Sequence, residues 1–309
     1  MPAVFCELTG HGLIGFSGED AAAFLHAQLT SDVTGLDQNR TQYGGYCSPK
    51  GRLLATFLLW RREADIVLQL PHDLRDSVQQ RLSRYVLRSR VRASDQSDQF
   101  RVFGIAGEGA PGLVSALGAA PVADYESVSV DGAHITRLPG VRYVAITQAD
   151  GAPRLRERLA QHAHQHDESL WTRLDIEAGV PCITAATQEQ YVPQMVNLDL
   201  IGGVSYTKGC YPGQEIVARM HYLGRLKQRM YRVRFAANED VAPGDPLFSP
   251  EFGAEQASGS IVQAIACGDG AYEALAVVQI ASVRGDALHF KSLNGPGIEF
   301  LSLPYQIPS

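Results

Sequence analysis

The sequence predicts an α+β protein that ends in a small β-barrel, and three observations carry that reading. Strand-like apolar runs and stretches of helical periodicity alternate through the first three-quarters of the chain, without the strict repeat of a doubly wound sheet. After about Arg229 the helical periodicity stops, and five short apolar runs follow, separated by Gly, Pro, Asn and Asp. A chain of 309 residues also exceeds most single compact domains. The expected division is 1–228 for an α+β region of two interleaved lobes and 229–309 for the barrel.

The elements follow in order. Residues 12–18 form a short strand-like run, and Gly18-Glu19-Asp20 leads into helical spacing over 21–29. Residues 52–60 and 64–70 read as strands, and 74–87 has the period of a helix. Further strands are expected at 102–106, 134–138 and 141–146, then an amphipathic helix over 153–164. The barrel strands are placed at 230–236, 259–267, 272–283, 287–291 and 298–303, with a polar loop at 250–258.

Composition narrows the function classes. Apolar content of 45% and charged content of 19% are ordinary for a globular protein. A formal charge of -6 argues against a chain dominated by nucleic-acid binding, while leaving room for a local basic patch. No segment approaches the ~18 uninterrupted apolar residues of a membrane span, and no secretory leader is evident. The cysteines (Cys6, Cys47, Cys182, Cys210, Cys267) are odd in number and never form CxxC, which suits reduced thiols in a cytoplasm. No local ligand spacing suggests a self-contained zinc or iron–sulfur site.

The most informative segment is Tyr206-Thr207-Lys208-Gly209-Cys210-Tyr211-Pro212-Gly213-Gln214-Glu215-Ile216-Val217-Ala218-Arg219. Gly209 and Gly213 permit backbone angles that a side chain forbids. Pro212 suits a first helical position, with the helix continuing through Gln214 to Arg219. Cys210 then falls at or just before a helix N-terminus, where amide dipoles favour a thiolate, and Lys208 adds a second positive influence. A lone cysteine is most often a small buried hydrophobe. The density of Gly, Pro, Lys and Gln-Glu around this one favours a functional thiol.

Lys208-Gly209-Cys210-Tyr211-Pro212-Gly213-Gln214-Glu215 resembles the signature of the YgfZ folate-binding proteins, relatives of the glycine-cleavage T-protein. Trp171-Thr172-Arg173-Leu174-Asp175-Ile176-Glu177-Ala178-Gly179-Val180-Pro181 is similar to the family's second block. Tyr191-Val192-Pro193-Gln194 and the stretch from Asn197 to Tyr206 match the segment between the two. Ser48-Pro49-Lys50-Gly51-Arg52 resembles its N-terminal loop.

The resemblance implies a three-lobed T-protein-like ring with a tetrahydrofolate-type cofactor at its centre, in a folate-binding region spanning 1–228. It implies that Trp171 contacts folate and that Glu177 binds the pterin ring. A carboxylate can accept paired pterin N–H groups, and an aromatic face can stack on the ring. Where the family carries another tryptophan, this chain has His11. True T-proteins carry an acidic residue in the strand after the glycine loop; the candidate positions here are Ala55 and Thr56, which disfavours aminomethyl transfer.

Three other groups of residues stand out. Arg75, Arg81, Arg84, Arg88, Arg90 and Arg92 make 74–92 locally basic. A solvated helix face is the commoner meaning of such a strip, and Tyr85 is its lone interleaved aromatic, so direct nucleic-acid binding is not expected. Arg225, Lys227 and Arg229 could hold the glutamate tail of a folate. His162 and His166 have one-turn spacing, with His164 between them. Their place at a helix end, where the dipole favours histidine, argues against a metal.

The expected function is a tetrahydrofolate-binding accessory protein, not a turnover enzyme in the usual sense. The resemblance implies support of iron–sulfur enzymes, including those that modify tRNA. Cys210 and Lys208 would act; Trp171, Glu177, His11 and Arg225 would hold the cofactor; and Gly209, Tyr211, Gly213, Gln214, Glu215 and Arg219 would complete the motif. The rival expectation is a one-carbon transferase that replaces the missing carboxylate.

Overall fold

The computed structural model describes residues 2–285 and 287–308. The chain divides into two compact units. One comprises Met1–His26, Asp32–Gln42 and Phe57–Trp171; the other comprises Ala27–Ser31, Tyr43–Thr56 and Thr172–Ser309. The second unit is therefore assembled from two short early segments and the C-terminal part of the chain, while the first is interrupted only by those two segments.

In the first unit a six-stranded sheet has the order His164–Gln165, Val4–Glu7, Phe100–Ala106, Arg142–Gln148, Ala133–Leu138, Ser127–Val130. Val4–Glu7 pairs in parallel with His164–Gln165, and the other pairings of this sheet are antiparallel. That pattern is α+β, as the irregular alternation of elements predicts. Alternate residues of the central strands (Phe103 and Ile105, Tyr143 and Ala145) meet Leu113 and Val114 of helix Ala110–Ala116 and Leu155 and Leu159 of helix Ala152–Ala160.

The second helix stops at Ala160, short of the expected 164. The chain turns there because the His164 and His166 amides donate to the carbonyls of Ala3 and Phe5, at 3.2 and 2.8 Å. His162 and His166 are thus not one helical turn apart, and the spacing argument for a metal loses its basis.

A five-stranded sheet has the order Thr41–Cys47, Leu53–Arg62, Asp65–Pro71, His11–Ser17, Arg92–Asp95. Its helix, His72–Ser83, buries Leu74, Val78 and Leu82 at the four-residue spacing of one face. Gly12 lets the helix approach: a Cβ there would lie 2.9 Å from Arg75 Cβ. The helix ends four residues before the expected 87, and Leu87 itself adopts a positive φ of 45° that no helix tolerates.

The second unit contains a six-stranded sheet ordered His289–Phe290, Pro246–Phe248, Gly259–Gly268, Ala271–Gln279, Gln228–Ala236, Glu299–Leu301. Its pairings are antiparallel, and it curls into a half-barrel around Val233, Phe235, Leu247, Ile261, Ala276 and Phe290. Register shifts between Ile261 and Gln263, and between Ala266 and Gly268, add the local twist that curling needs. The three-residue strand Pro246–Phe248 is too short to stand out in sequence. The expected strand over 272–283 ends at Gln279 and gives way to the short helix Ile280–Arg284.

Candidate thiol site in the second unit

The cysteine loop rests on segments drawn from early in the chain. Thr30, fully buried, ties two of them to the stretch before the loop: its hydroxyl accepts from the Gly45 amide at 2.8 Å and donates to Gly203 O at 2.6 Å. Its carbonyl accepts from the Ser205 amide at 2.9 Å. The Ser48–Arg52 turn closes through Gly51 N to Ser48 O at 2.9 Å and Ser48 N to Arg52 O at 2.8 Å.

Two glycines dock that turn against the start of the cysteine helix. Gly51 and Gly213 both have positive φ, 70° and 80°. A Cβ on Gly213 would lie 2.5 Å from Ser48 O and 2.6 Å from Gly51 Cα, distances that real side chains do not show. The two sequence blocks Ser48-Pro49-Lys50-Gly51 and Pro212-Gly213-Gln214-Glu215 are thus two halves of one contact.

The helix spans Gln214–Tyr222, with Gly213 as its N-cap and no side-chain cap. Pro212 therefore lies before the helix and not at its first position, because Gly213 takes the left-handed angles that redirect the chain. Gln214 is half-buried, while Glu215 and Arg219 point to solvent. Val217 faces inward, and its carbonyl accepts from Gln194 Nε2 at 2.7 Å.

Lys208 and Cys210 part company. Lys208 is buried, and its ammonium donates to Leu29 O at 2.6 Å and Ser31 O at 3.1 Å, lying 5.1 Å from the centre of the Tyr211 ring. A buried ammonium needs such acceptors, so the cation expected to act on the thiol holds the loop to residues 29–31. Tyr211 is buried too, and burial pushes its phenol pKa up, with the neighbouring Cys47 adding to the shift. Cys47 is sealed in the core, where burial raises its thiol strongly. Gly209 and Cys210 stand between these anchors and are exposed.

At the far end of the helix an aromatic trio forms. The Tyr206 and His221 rings stack at 3.7 Å between centroids, and Tyr222 meets both edge-on. Burial pushes the Tyr206 phenol up to about 12.

Glu177 lies in the helix Ser169–Ala178, half-exposed, 3.8 Å from Arg232 Nη2. Arg232 makes its short contact elsewhere, 2.7 Å to Glu273, which also accepts from Arg234 at 2.6 Å. Burial opposes ionisation of Glu273, but the bonds from Arg232 and Arg234 outweigh it and hold the carboxyl below its usual range. The helix closes at Gly179 (φ 67°), whose carbonyl accepts from the Tyr305 hydroxyl at 2.7 Å. Ala55 is fully buried. Thr56 donates to Pro181 O at 3.0 Å and accepts from the Ile183 amide at 3.1 Å, so neither supplies a charge.

Other expected ligands sit in surroundings of their own. Trp171 belongs to the first unit and is 4% exposed, its ring packed on Gly104, with the Arg142 guanidinium 5.3 Å from the ring centre. His11, in the same unit, sits 3.2 Å from Glu168, which also accepts from Thr9 and the Gly10 amide. Arg225 is exposed beyond the cysteine helix. Arg229, read with it as a holder of the folate tail, is buried and bound to both oxygens of Asp199 at 2.8 and 3.1 Å. That pairing and its burial give it a structural task.

Sequence reasoning missed Thr30, Gln194, Arg232 and Glu273. Only the last pair leaves a trace: Arg232 and Arg234 alternate on one strand, and Arg234 lies directly opposite Glu273 in the register.

No family model matches the chain. It is 30% identical over 298 residues to the "tRNA-modifying protein YgfZ" of Yersinia pseudotuberculosis serotype O:1b (strain IP 31758), covering 93% of this chain and 90% of that one. It is 28% identical over 313 residues to the protein of the same name from Sodalis glossinidius, covering 99% and 94%. The solved structure of the glycine cleavage system aminomethyltransferase T from Bartonella henselae aligns with a TM-score of 0.74 over 98% of this chain and 86% of that one, at 15% identity. At that identity the likeness establishes the T-protein fold alone.

Proposed function

The chain belongs to the YgfZ family, and from that premise we propose that it is a tetrahydrofolate-binding accessory protein. In this reading it supports iron–sulfur cluster assembly or repair, and through it iron–sulfur-dependent tRNA modification, by way of Cys210. The observation that carries the reading is the contrast within one loop: Lys208 and Tyr211 are buried and anchored, while Cys210 between them is exposed. Such a loop presents a thiol to a partner without rearranging. A thiolate in that position can attack a client's disulfide, forming a mixed disulfide as the other sulfur leaves as a thiolate, or contact a cluster in transit as cargo.

The residues suit a pterin in part. Glu177 has its nearest cation at 3.8 Å, and that cation is engaged by Glu273, so its oxygens are open to two N–H donors. Trp171 is nearly covered and would contribute a wall rather than a stacking face. His11, held by Glu168, and the exposed Arg225, whose guanidinium can pair with a carboxylate, keep their proposed ligand roles. Bound tetrahydrofolate would supply a reduced pterin able to carry a one-carbon unit. The folate-binding region is assigned to 1–228 and the barrel to 229–309. The working compartment is the cytoplasm, with iron–sulfur proteins and tRNA-modifying enzymes as partners. Among the described residues no helix is long and apolar enough to cross a membrane.

Aminomethyl transfer is the weaker reading, because Ala55 and Thr56 leave its acidic position empty of charge. Calorimetric titration with tetrahydrofolate separates the possibilities. Micromolar binding that falls at least tenfold in Glu177→Ala supports the assignment; no binding by wild type removes folate from it. Many turnovers of an aminomethylated carrier would restore the transferase.

A further inference from the structure

The first unit carries a surface that the thiol chemistry does not use. Of the six arginines between residues 74 and 92, two are held: Arg75 by Asp76 and Asp95, and Arg90 by Glu19. Among the described residues Arg81, Arg84, Arg88 and Arg92 make no ion pair, and the last three are exposed. Between them Tyr85 is 47% exposed and Leu87 86% exposed, and Leu87 is the residue with the positive φ. Of the carboxylates beside this turn, Glu19 is paired with the Arg90 guanidinium, while Asp20 accepts from the Arg90 amide and keeps its charge. Arg84, Arg88 and Arg92 are thus three exposed cations without an ion pair among the described residues, on a chain of net charge -6.

Ordinary structural causes account for part of it. Arg81 and Arg84 lie at the end of helix His72–Ser83, where cations favour the dipole. Arg92 begins the outermost strand of the five-stranded sheet, where charge deters edge pairing. Neither cause explains Arg88, nor an exposed tyrosine and leucine in a turn held at a sparsely populated backbone angle.

We propose that this turn binds RNA, with Arg84, Arg88 and Arg92 on backbone phosphates and Tyr85 stacked on an unpaired base. Guanidinium groups meet phosphate oxygens in pairs, and an aromatic ring adds a contact that tolerates any base. The sequence alone weighs against this, because one aromatic among arginines is little interleaving. The structure changes the weight by leaving that aromatic uncovered and those arginines unneutralised. An acidic protein surface would need a larger apolar centre than Tyr85 and Leu87 provide.

Fluorescence anisotropy of an unmodified tRNA transcript and of a short single-stranded RNA, across a salt series, tests the proposal on the full-length protein. Arg84→Glu/Arg88→Glu/Arg92→Glu should weaken binding by at least tenfold. It should also lower the slope of log affinity against log salt by about 2, from about 0.7 per phosphate lost on a single strand. Tyr85→Ala should weaken binding roughly tenfold with the slope unchanged, as loss of ~1–3 kcal/mol of stacking implies. Arg154→Glu, an exposed charge on another element, should bind as wild type. Circular dichroism and tetrahydrofolate titration of the triple variant should match wild type, which separates this site from the folate reading. No wild-type affinity at low salt, or a triple variant equal to wild type, overturns the proposal. Equal binding of a polyglutamate peptide, insensitive to Tyr85→Ala, would assign the surface to an acidic protein instead.

Discussion

The cysteine loop and the arginine turn are built on opposite plans. Around Cys210 nearly every neighbour is anchored: Lys208 by two carbonyls, Tyr211 by burial, Gly213 by backbone packed against the Ser48–Gly51 turn. In the turn after Ser83 Arg84 and Arg88 reach solvent, and with Arg92 on the following strand they lack acidic partners among the described residues. The difference matches the roles proposed for the two features. A single reactive atom needs a frame that fixes its place, whereas charges that collect a flexible polyanion need only be concentrated and accessible.

The largest expected effect strikes the frame. Gly213→Val puts side-chain atoms where Ser48 O and Gly51 already lie, at a φ that valine resists, and should cost about 3 kcal/mol or more in urea unfolding. Gly35→Ala, with open space around it, should change stability by less than about 0.5 kcal/mol. A tolerated Gly213→Val would break the comparison, since the loop would then be as pliant as the turn.

Acid sharpens it by loading the first unit. Burial pushes His134 down to about 4, from an ordinary 6.5. Below pH 6.5 the unfolded chain takes up a proton that the folded chain refuses. Stability therefore falls as pH drops from about 6.5 to about 4 and levels off below, by an amount on the order of 3 kcal/mol. His134→Phe should flatten that part of the stability–pH curve, and an unchanged curve would show that the group titrates normally.

Lys208→Met comes next. It leaves Leu29 O and Ser31 O without their ammonium donor, with an expected loss of about 2 kcal/mol. Such a loss with Cys210 still in place would confirm a holding role; unchanged stability together with lost function would return Lys208 to the chemistry.

Much of this was legible in the sequence, but unevenly. The glycines of the Gly51 and Gly213 contact, the thiol and the longer apolar strands can be read from residue type and period, whereas Val4–Glu7, Thr41–Cys47, Arg92–Asp95, Ser127–Val130 and His164–Gln165 are too short, too polar or too glycine-rich to stand out. The role of Lys208 cannot, because its partners lie 179 and 177 residues away. The same distance problem hides Glu168 behind His11, 157 residues apart. Helix ends were overrun where periodicity continues past a local event: the positive φ of Leu87, and the backbone bonds that draw His164 and His166 into a strand. Arg229 looked like its neighbours Arg225 and Lys227 until Asp199 supplied a bidentate partner.

The smallest expected structural effect belongs to the atom on which the proposed function rests. Cys210→Ala removes an exposed sulfur and should shift unfolding by less than about 0.5 kcal/mol and leave tetrahydrofolate affinity unchanged. The decisive measurement is the level of iron–sulfur-dependent modified nucleosides in bulk tRNA, from cells whose only copy of this protein carries that change. The expected result is a loss as deep as in cells lacking the protein, from a variant that is folded and binds folate. Modified nucleosides at the wild-type level would contradict the role given to Cys210.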